Sequence, residues 1–551
     1  MLRIIFQFIF LPIRLLYFFY LSLRTFLLRK KTILHWEFPS YFETANQSFL
    51  VRKIRGKNTS VTRLDFLLTL RSLRKLRQLK NLKIFLPPLD WTLGDAWEVM
   101  EELKFLQNEC EVVVDGFAKE GSLGTLILLS ACNNVYLNAD SEFQLTLPSA
   151  EPTFYGDFLK HWGVQVESYA SGPFKSFAES FTRSSFSKEA RNNLSELVLD
   201  LQNKILNVIT LDGKLDKKAF YFPILTSSML VQSGFAKSEL SKDDFFVSPE
   251  KCLNEGDINT LNTKRVFRFF SRRSPIISVI PLTGAISSGE YSNTERELGK
   301  IEAYPTIELI KELGEDKKIG AIILEINSPG GSAFHSELLY KEIKKVRETK
   351  PVFAYFKDTA ASGGYYIGSA AETITASPVC ITGSIGAVMI RANLKKLYNK
   401  AKIQKESIGF YPYRDIMSEY TPLSKPSIQY LTSEIKRVES QFYERVKSGR
   451  NMTDADLKIL GGGKVYLPKI ETKVVDRLGG VLDIIDQLKE KFPKKQFSYH
   501  YELPEFSLRA SIPFLNRFTQ ASIPTWAKSV FALHEADLFG KILYFCPIRI
   551  K

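Results

Sequence analysis

The residues best suited to chemistry lie in two glycine-rich stretches of the carboxyl-terminal half. The first is Asn327-Ser328-Pro329-Gly330-Gly331-Ser332, and the second is Ala360-Ala361-Ser362-Gly363-Gly364. Each follows an apolar run that reads as a buried strand. Glycines at a strand end let the backbone turn sharply and aim N–H groups into a cleft. A serine between small residues at a strand-to-helix turn is what a strained nucleophile requires, because bulky neighbours would block the turn. The helix that follows offers further N–H groups to a developing anion. The pattern points to acyl transfer by Ser362. The plainer alternative is a helix that merely packs closely on its strand, and the glycine loop after the preceding strand argues against it.

A nucleophilic serine needs a base, and residues 358–386 contain no histidine. His335, just after the first glycine stretch, is expected in the first turn of a helix, facing solvent or capping. His161, His500 and His534 have no motif around them. A lysine can serve if its pKa falls from about 10.4 towards 7, a drop of roughly 4 kcal/mol. That demands apolar burial. Lys175 is the candidate, with Phe174, Phe177 and Phe181 close in sequence. The alternative is an ordinary surface lysine.

The elements that position these residues come from an internal duplication. Ile84 and Ile323 are 239 residues apart, as are Ser130 and Ser369, and the register runs on to Gln165-Val-Glu-Ser over Gln404-Lys-Glu-Ser. A constant offset over that length is the mark of a repeated unit. Each half alternates strands with helices, which predicts an α/β fold of repeated βαβ units with parallel sheets. Long helices are expected at 187–209 and 427–448. The predicted organisation is a membrane anchor over 1–31, a first domain over 45–255 carrying Lys175, a basic linker near 255–274, a second domain over 275–492 carrying Ser362, and a tail over 493–551. The halves differ in chemistry. Pro88–Leu93 stands where the second half has its glycine loop, Leu123 stands where it has Ser362, and Arg414 stands opposite Lys175. An arginine cannot give up its proton at working pH.

In combination, NSPGGS, AASGGYYI and Thr382-Gly-Ser-Ile-Gly386 resemble the signal peptide peptidase A (protease IV) family, and more distantly the Clp protease and crotonase superfamily. Phe174-Lys-Ser followed by Glu179 and Phe181 resembles the lysine motif of that family's double-length form. The resemblance covers roughly residues 80–490. It implies two tandem ClpP/crotonase-like domains and a Ser–Lys dyad split between the halves. Ser362 would be the nucleophile and Lys175 the base, with Ser384 orienting the lysine amine. Gly363 and Gly331, or Gly330, would supply the oxyanion N–H groups. It also implies a ring-like homo-oligomer, a tetramer, that degrades signal-peptide remnants and other unstructured peptides without a metal or other cofactor. Three rivals remain: an inactive membrane scaffold of the same fold, a crotonase-like enzyme acting on acyl-thioesters, and a serine hydrolase using His335.

The amino terminus, Met1–Lys31, is the most apolar part of the chain. Residues 4–28 are long enough to span a bilayer, although Arg14 mid-segment costs roughly 2.5–3.5 kcal/mol. Arg3, Gln7, Arg14 and Arg24 share one helical sector, so a helix lying in the interface is the second reading. Either way a retained anchor is expected, placing the protein at a bacterial inner membrane with its catalytic part on the periplasmic side. The net charge of +15 suits anionic lipid, and no nucleic-acid motif accompanies it. The five cysteines are scattered, with no CxxC, so neither a disulfide framework nor a zinc site is expected. In the tail, Ala510–Pro513 and Ala521–Pro524 repeat the same four residues in an aromatic-rich stretch, which suits a membrane or subunit contact and equally a packed terminal arm.

Overall fold

A computed structural model describes residues 19–42 apart from 21, 25 and 29, then 61–246, 252–254, 257, 258, 261, 274–289, 300–493, 497–503 and 542–545. The expected anchor thus lies largely outside the described residues. Among those described, no helix is long and apolar enough to cross a membrane. The chain forms two compact units, one of residues 1–147 and 202–273, the other of 148–201 and 274–551. The fold is α/β with mainly parallel sheets.

In the first unit, six parallel strands run in the spatial order 238–239, 134–137, 113–118, 81–86, 33–37 and 252–253. Their apolar residues, such as Leu82, Ile84, Val114 and Phe117, are buried, as both faces of a parallel sheet must be. The helix Leu93–Cys110 starts at Thr92, which exchanges side-chain and backbone hydrogen bonds with Asp95. This capping box satisfies two otherwise orphaned N–H groups.

In the second unit, the main sheet runs in the order 465–466, 381–383, 352–361, 319–328, 276–283 and 498–501. The two central strands, Ile319–Ser328 and Val352–Ala361, are almost wholly buried. A second sheet orders 300–302, 285–287, 330–332, 542–545, 388–393 and 165–170. The helix Lys425–Arg450 lies close to the expected span. It is capped by Ser424, has Pro426 in its first turn and ends at Asn451 with φ 50°, a left-handed stop that asparagine tolerates. Among the described residues, the tail contributes strands 498–501 and 542–545 to the two sheets of this unit.

The 239-residue offset recurs in the element bounds. Strand Asn134–Leu137 corresponds to Thr373–Ala376, and Ser238–Glu239 to Arg477–Leu478. Even the pairing register carries over, from Tyr136↔Ser238 to Thr375↔Arg477. The packing nevertheless cuts across the repeat. Residues 148–201, assigned by sequence to the first domain, belong to the second unit because strand Gln165–Ala170 pairs antiparallel with Val388–Asn393.

Candidate active site

Strand Val352–Ala361 passes directly into the helix Gly363–Gly368, and Ser362 is the single residue at the junction. Its backbone has φ 57° and ψ −117°. A non-glycine residue in that region is strained by on the order of 1–3 kcal/mol and persists only where its surroundings enforce it. Here they do. Ser362 N–H donates to Gly383 O at 2.9 Å, Tyr366 N–H donates to Ser362 O at 2.8 Å, and the residue is fully buried. A Cβ on Gly363 would sit 3.1 Å from Gly330 Cα and 3.2 Å from Gly331 N, and one on Gly364 only 2.5 Å from Ser328 O. The two glycine-rich stretches of the sequence are therefore packed backbone to backbone.

Lys175 reaches this junction from the strand Gln165–Ala170. After the strand, Ser171 N–H donates to Ala387 O and Phe174 N–H to Gly462 O. Lys175 is 4% exposed. Its Nζ lies 2.7 Å from Ser362 Oγ, 2.9 Å from Ser384 Oγ and 2.8 Å from Ser384 O. Ser384 is itself at φ 54° and is fixed by its N–H donating to Lys464 O at 2.7 Å. The structure thus brings Ser362, Lys175 and Ser384 together and sets Gly363 and Gly331 beside them. Gly330 differs, because its N–H is directed to Ser328 Oγ at 3.2 Å.

His335 lies in the first turn of the helix Ala333–Arg347, as expected, but it does not face solvent. It is buried against the ring of Tyr304, with Nδ1 2.8 Å from Ser332 Oγ. The apolar environment read for Lys175 is present in part. Phe177 packs with Phe181, Val388 and Ile390 next to the lysine turn.

Several residues around the lysine carried no sequence signal of their role. Gly461-Gly462-Gly463 form a turn that touches both the lysine segment and the Ser384 loop. A Cβ on Gly463 would meet Lys175 N at 2.5 Å, and Gly463 N–H donates to Ile385 O. Tyr443 Oη accepts from Gly462 N–H and donates to Glu439 Oε1. Glu439 also bonds the Ser171 hydroxyl and feels the charge of Lys175, while its burial pushes its carboxyl pKa up. The run of three glycines is visible in sequence, but the segment it must accommodate lies almost 290 residues earlier.

Chemically, this is a buried hydroxyl on a strained turn, an amine at hydrogen-bond distance, a second hydroxyl holding that amine, and backbone N–H groups alongside. The peptidase family S49 model matches residues 344–494, which include Ser362 and Ser384. The chloroplastic serine protease SPPA of Arabidopsis thaliana is 27% identical over 426 residues, 74% of this chain and 62% of that protein. Protease 4 of Haemophilus influenzae is 26% identical over 407 residues, 70% of this chain and 65% of that protein. A candidate protease of Synechocystis sp. is 33% identical over 205 residues, 37% of this chain and 69% of that protein. The chain thus spans somewhat less than two thirds of the first two relatives' lengths. On these matches the chain belongs to peptidase family S49.

Proposed function

We propose that this protein is a serine endopeptidase of the signal peptide peptidase A type, working through a Ser362–Lys175 dyad. The observation that carries the reading is the buried Lys175 Nζ 2.7 Å from Ser362 Oγ, steadied by Ser384. Burial penalises the charged form of an amine, so a neutral Lys175 can accept the serine proton. Ser362 attacks a peptide carbonyl, and Lys175 takes its proton and passes it to the leaving amine. Gly363 and Gly331 N–H groups receive the oxyanion. Lys175 then deprotonates the water that releases the acyl group.

The substrate class is extended, unstructured peptide, including signal-peptide remnants. Strand 542–545 of the chain itself, lying along the glycine loop Gly330–Ser332, supports a groove that takes peptides by strand pairing. The wider reading has two tandem ClpP/crotonase-like domains, a homotetrameric ring, and an amino-terminal anchor over 1–31 that holds the enzyme at the inner membrane with its catalytic part outside the cytoplasm. The family matches and the recurring 239-residue offset support the tandem fold, and the apolar amino terminus supports the anchor.

The test is cleavage of an unstructured peptide by the wild type and by Ser362→Ala, Lys175→Ala and His335→Ala. Loss in the first two with near-normal cleavage in the third is expected. Unchanged cleavage by Lys175→Ala would sink the dyad, and loss in His335→Ala alone would favour the histidine-based hydrolase.

A further inference from the structure

We propose that Ser328 aims the oxyanion hole: its buried hydroxyl takes the Gly330 N–H away from the reacting groups and leaves the Gly331 N–H as the glycine loop's donor to the developing anion. This rests on the peptidase reading above. It gives Ser328 a positioning role, because the residue acts through the loop and not on the substrate.

The hydroxyl is committed on both sides. Ser328 closes the central strand Ile319–Ser328 and is fully buried. Its Oγ donates to Gly284 O at 2.6 Å and accepts from Gly330 N–H at 3.2 Å. Gly284 is also held through its own N–H, which donates to Asn327 O at 2.9 Å. Asn327 Oδ1 accepts from Thr359 N–H and its Nδ2 donates to Asp358 Oδ2, each at 3.1 Å. The start of the glycine loop is thus tied to the strand that leads into Ser362. The far end is tied separately, by Ser336 Oγ donating to Ser332 O at 2.8 Å. Between these anchors Gly330 and Gly331 stand at φ 101° and 156°, a region open to glycine and hardly to other residues.

A backbone N–H has one proton to give, and that of Gly330 goes back along the loop to a side chain. The sequence leaves Gly331 and Gly330 as alternatives, and the bond to Ser328 favours Gly331. Its N lies 3.2 Å from the place a Cβ on Gly363 would take, beside the second donor of the hole. Without the Ser328 hydroxyl, Gly330 N–H becomes a buried donor with no partner, which is costly until the loop turns to find another acceptor. The Gly331 N–H turns with it. An oxyanion donor is effective only within hydrogen-bond reach of where the anion forms, so a small rotation here is felt in the chemical step.

Kinetics of the full-length Ser328→Ala variant on an unstructured peptide test this. kcat should fall between about tenfold and about a hundredfold, with KM within about twofold of wild type. The rising limb of the pH profile should stay in place, because the contacts of Lys175 are untouched. Affinity for a peptide aldehyde, which forms a tetrahedral adduct with Ser362, should fall in proportion to kcat. Affinity for the corresponding peptide alcohol, which forms no adduct, should not change. If circular dichroism shows the alanine variant unfolded, Ser328→Cys keeps nearly the same volume with a weakly accepting thiol, and the same separation of aldehyde from alcohol is expected. A kcat within about threefold of wild type, a displaced pH limb, or equal losses for aldehyde and alcohol overturns the role of Ser328 and leaves the peptidase reading standing. A wild type that cleaves no peptide at all removes that reading as well.

Discussion

The two units each contain a strand that runs towards a short helix, at positions 239 residues apart, and they finish the turn differently. In the first, strand Val113–Ala118 is followed by a four-residue connection, and the helix Leu123–Leu129 begins after Ser122 at φ −118°. Ser122 N–H donates to Thr125 Oγ1, an ordinary relaxed start. In the second, the strand continues to Ala361, the connection shrinks to Ser362 alone, and that residue takes φ 57° without capping the helix. The hydroxyl that would serve the helix end is turned towards Lys175 instead. The same scaffold thus serves as a packed turn in one unit and a strained, reactive one in the other.

The most severe way to break that comparison is to relax the reactive turn. Ser362→Gly removes both the hydroxyl and the conformational penalty. Peptide cleavage should fall at least about a thousandfold, while the free energy of unfolding rises by about 1–2 kcal/mol, read by denaturant titration. Lower stability in this variant would mean that the turn is not strained. The next largest effect is expected from Gly463→Ala. A Cβ at φ 90° would meet the Lys175 backbone, and a displacement of that order costs about a hundredfold in cleavage. Ser384→Ala removes the side-chain hydroxyl that holds the amine and should lower kcat on the order of tenfold, with KM little changed.

The smallest effect sharpens the account of the lysine. Burial raises the Glu439 carboxyl pKa, and its charge acts on Lys175. An ionised Glu439 favours the ammonium form, so Glu439→Gln should move the rising limb of kcat/KM to lower pH. A limb that stays in place would remove Glu439 from the electrostatics of the base. The stability sign is opposite to that of a salt-bridged carboxylate. With a raised folded-state pKa, Glu439 contributes stability below the ordinary glutamate value of 4.5, and that contribution fades as pH rises through the elevated one. Glu439→Gln should flatten this part of the stability–pH curve.

Much of this site is legible in the sequence because it is local. Small residues around Ser362, a glycine loop after the preceding strand and alternating apolar runs each carry their own physical requirement. The constant offset shows that Leu123 and Pro88–Leu93 break the chemistry in the other half. What is not legible is non-local. Nothing in Gln165–Ala170 says that it will pair with Val388–Asn393, so the packing of 148–201 with the second unit is invisible in the chain order. The same holds for Gly461–Gly463, whose turn is obvious but whose neighbour Lys175 is not, and for 542–545, whose pairing partners Gly330–Ser332 lie far away in the sequence. Of the two positions expected for His335, the structure takes the one at the helix cap, with Nδ1 on Ser332 Oγ, and the ring of Tyr304 that closes off the solvent-facing one is about thirty residues away.

The central claim is that Lys175 acts as a neutral amine towards Ser362, and replacing it with arginine tests this most directly. Lys175→Arg keeps a long cationic donor near Ser384 but cannot be deprotonated. With folding checked by circular dichroism, peptide cleavage by Lys175→Arg should fall at least about a thousandfold, as far as in Lys175→Ala. Retention of a tenth or more of wild-type kcat/KM by the arginine variant would contradict the account, because the residue would then be serving as a charge and not as a base.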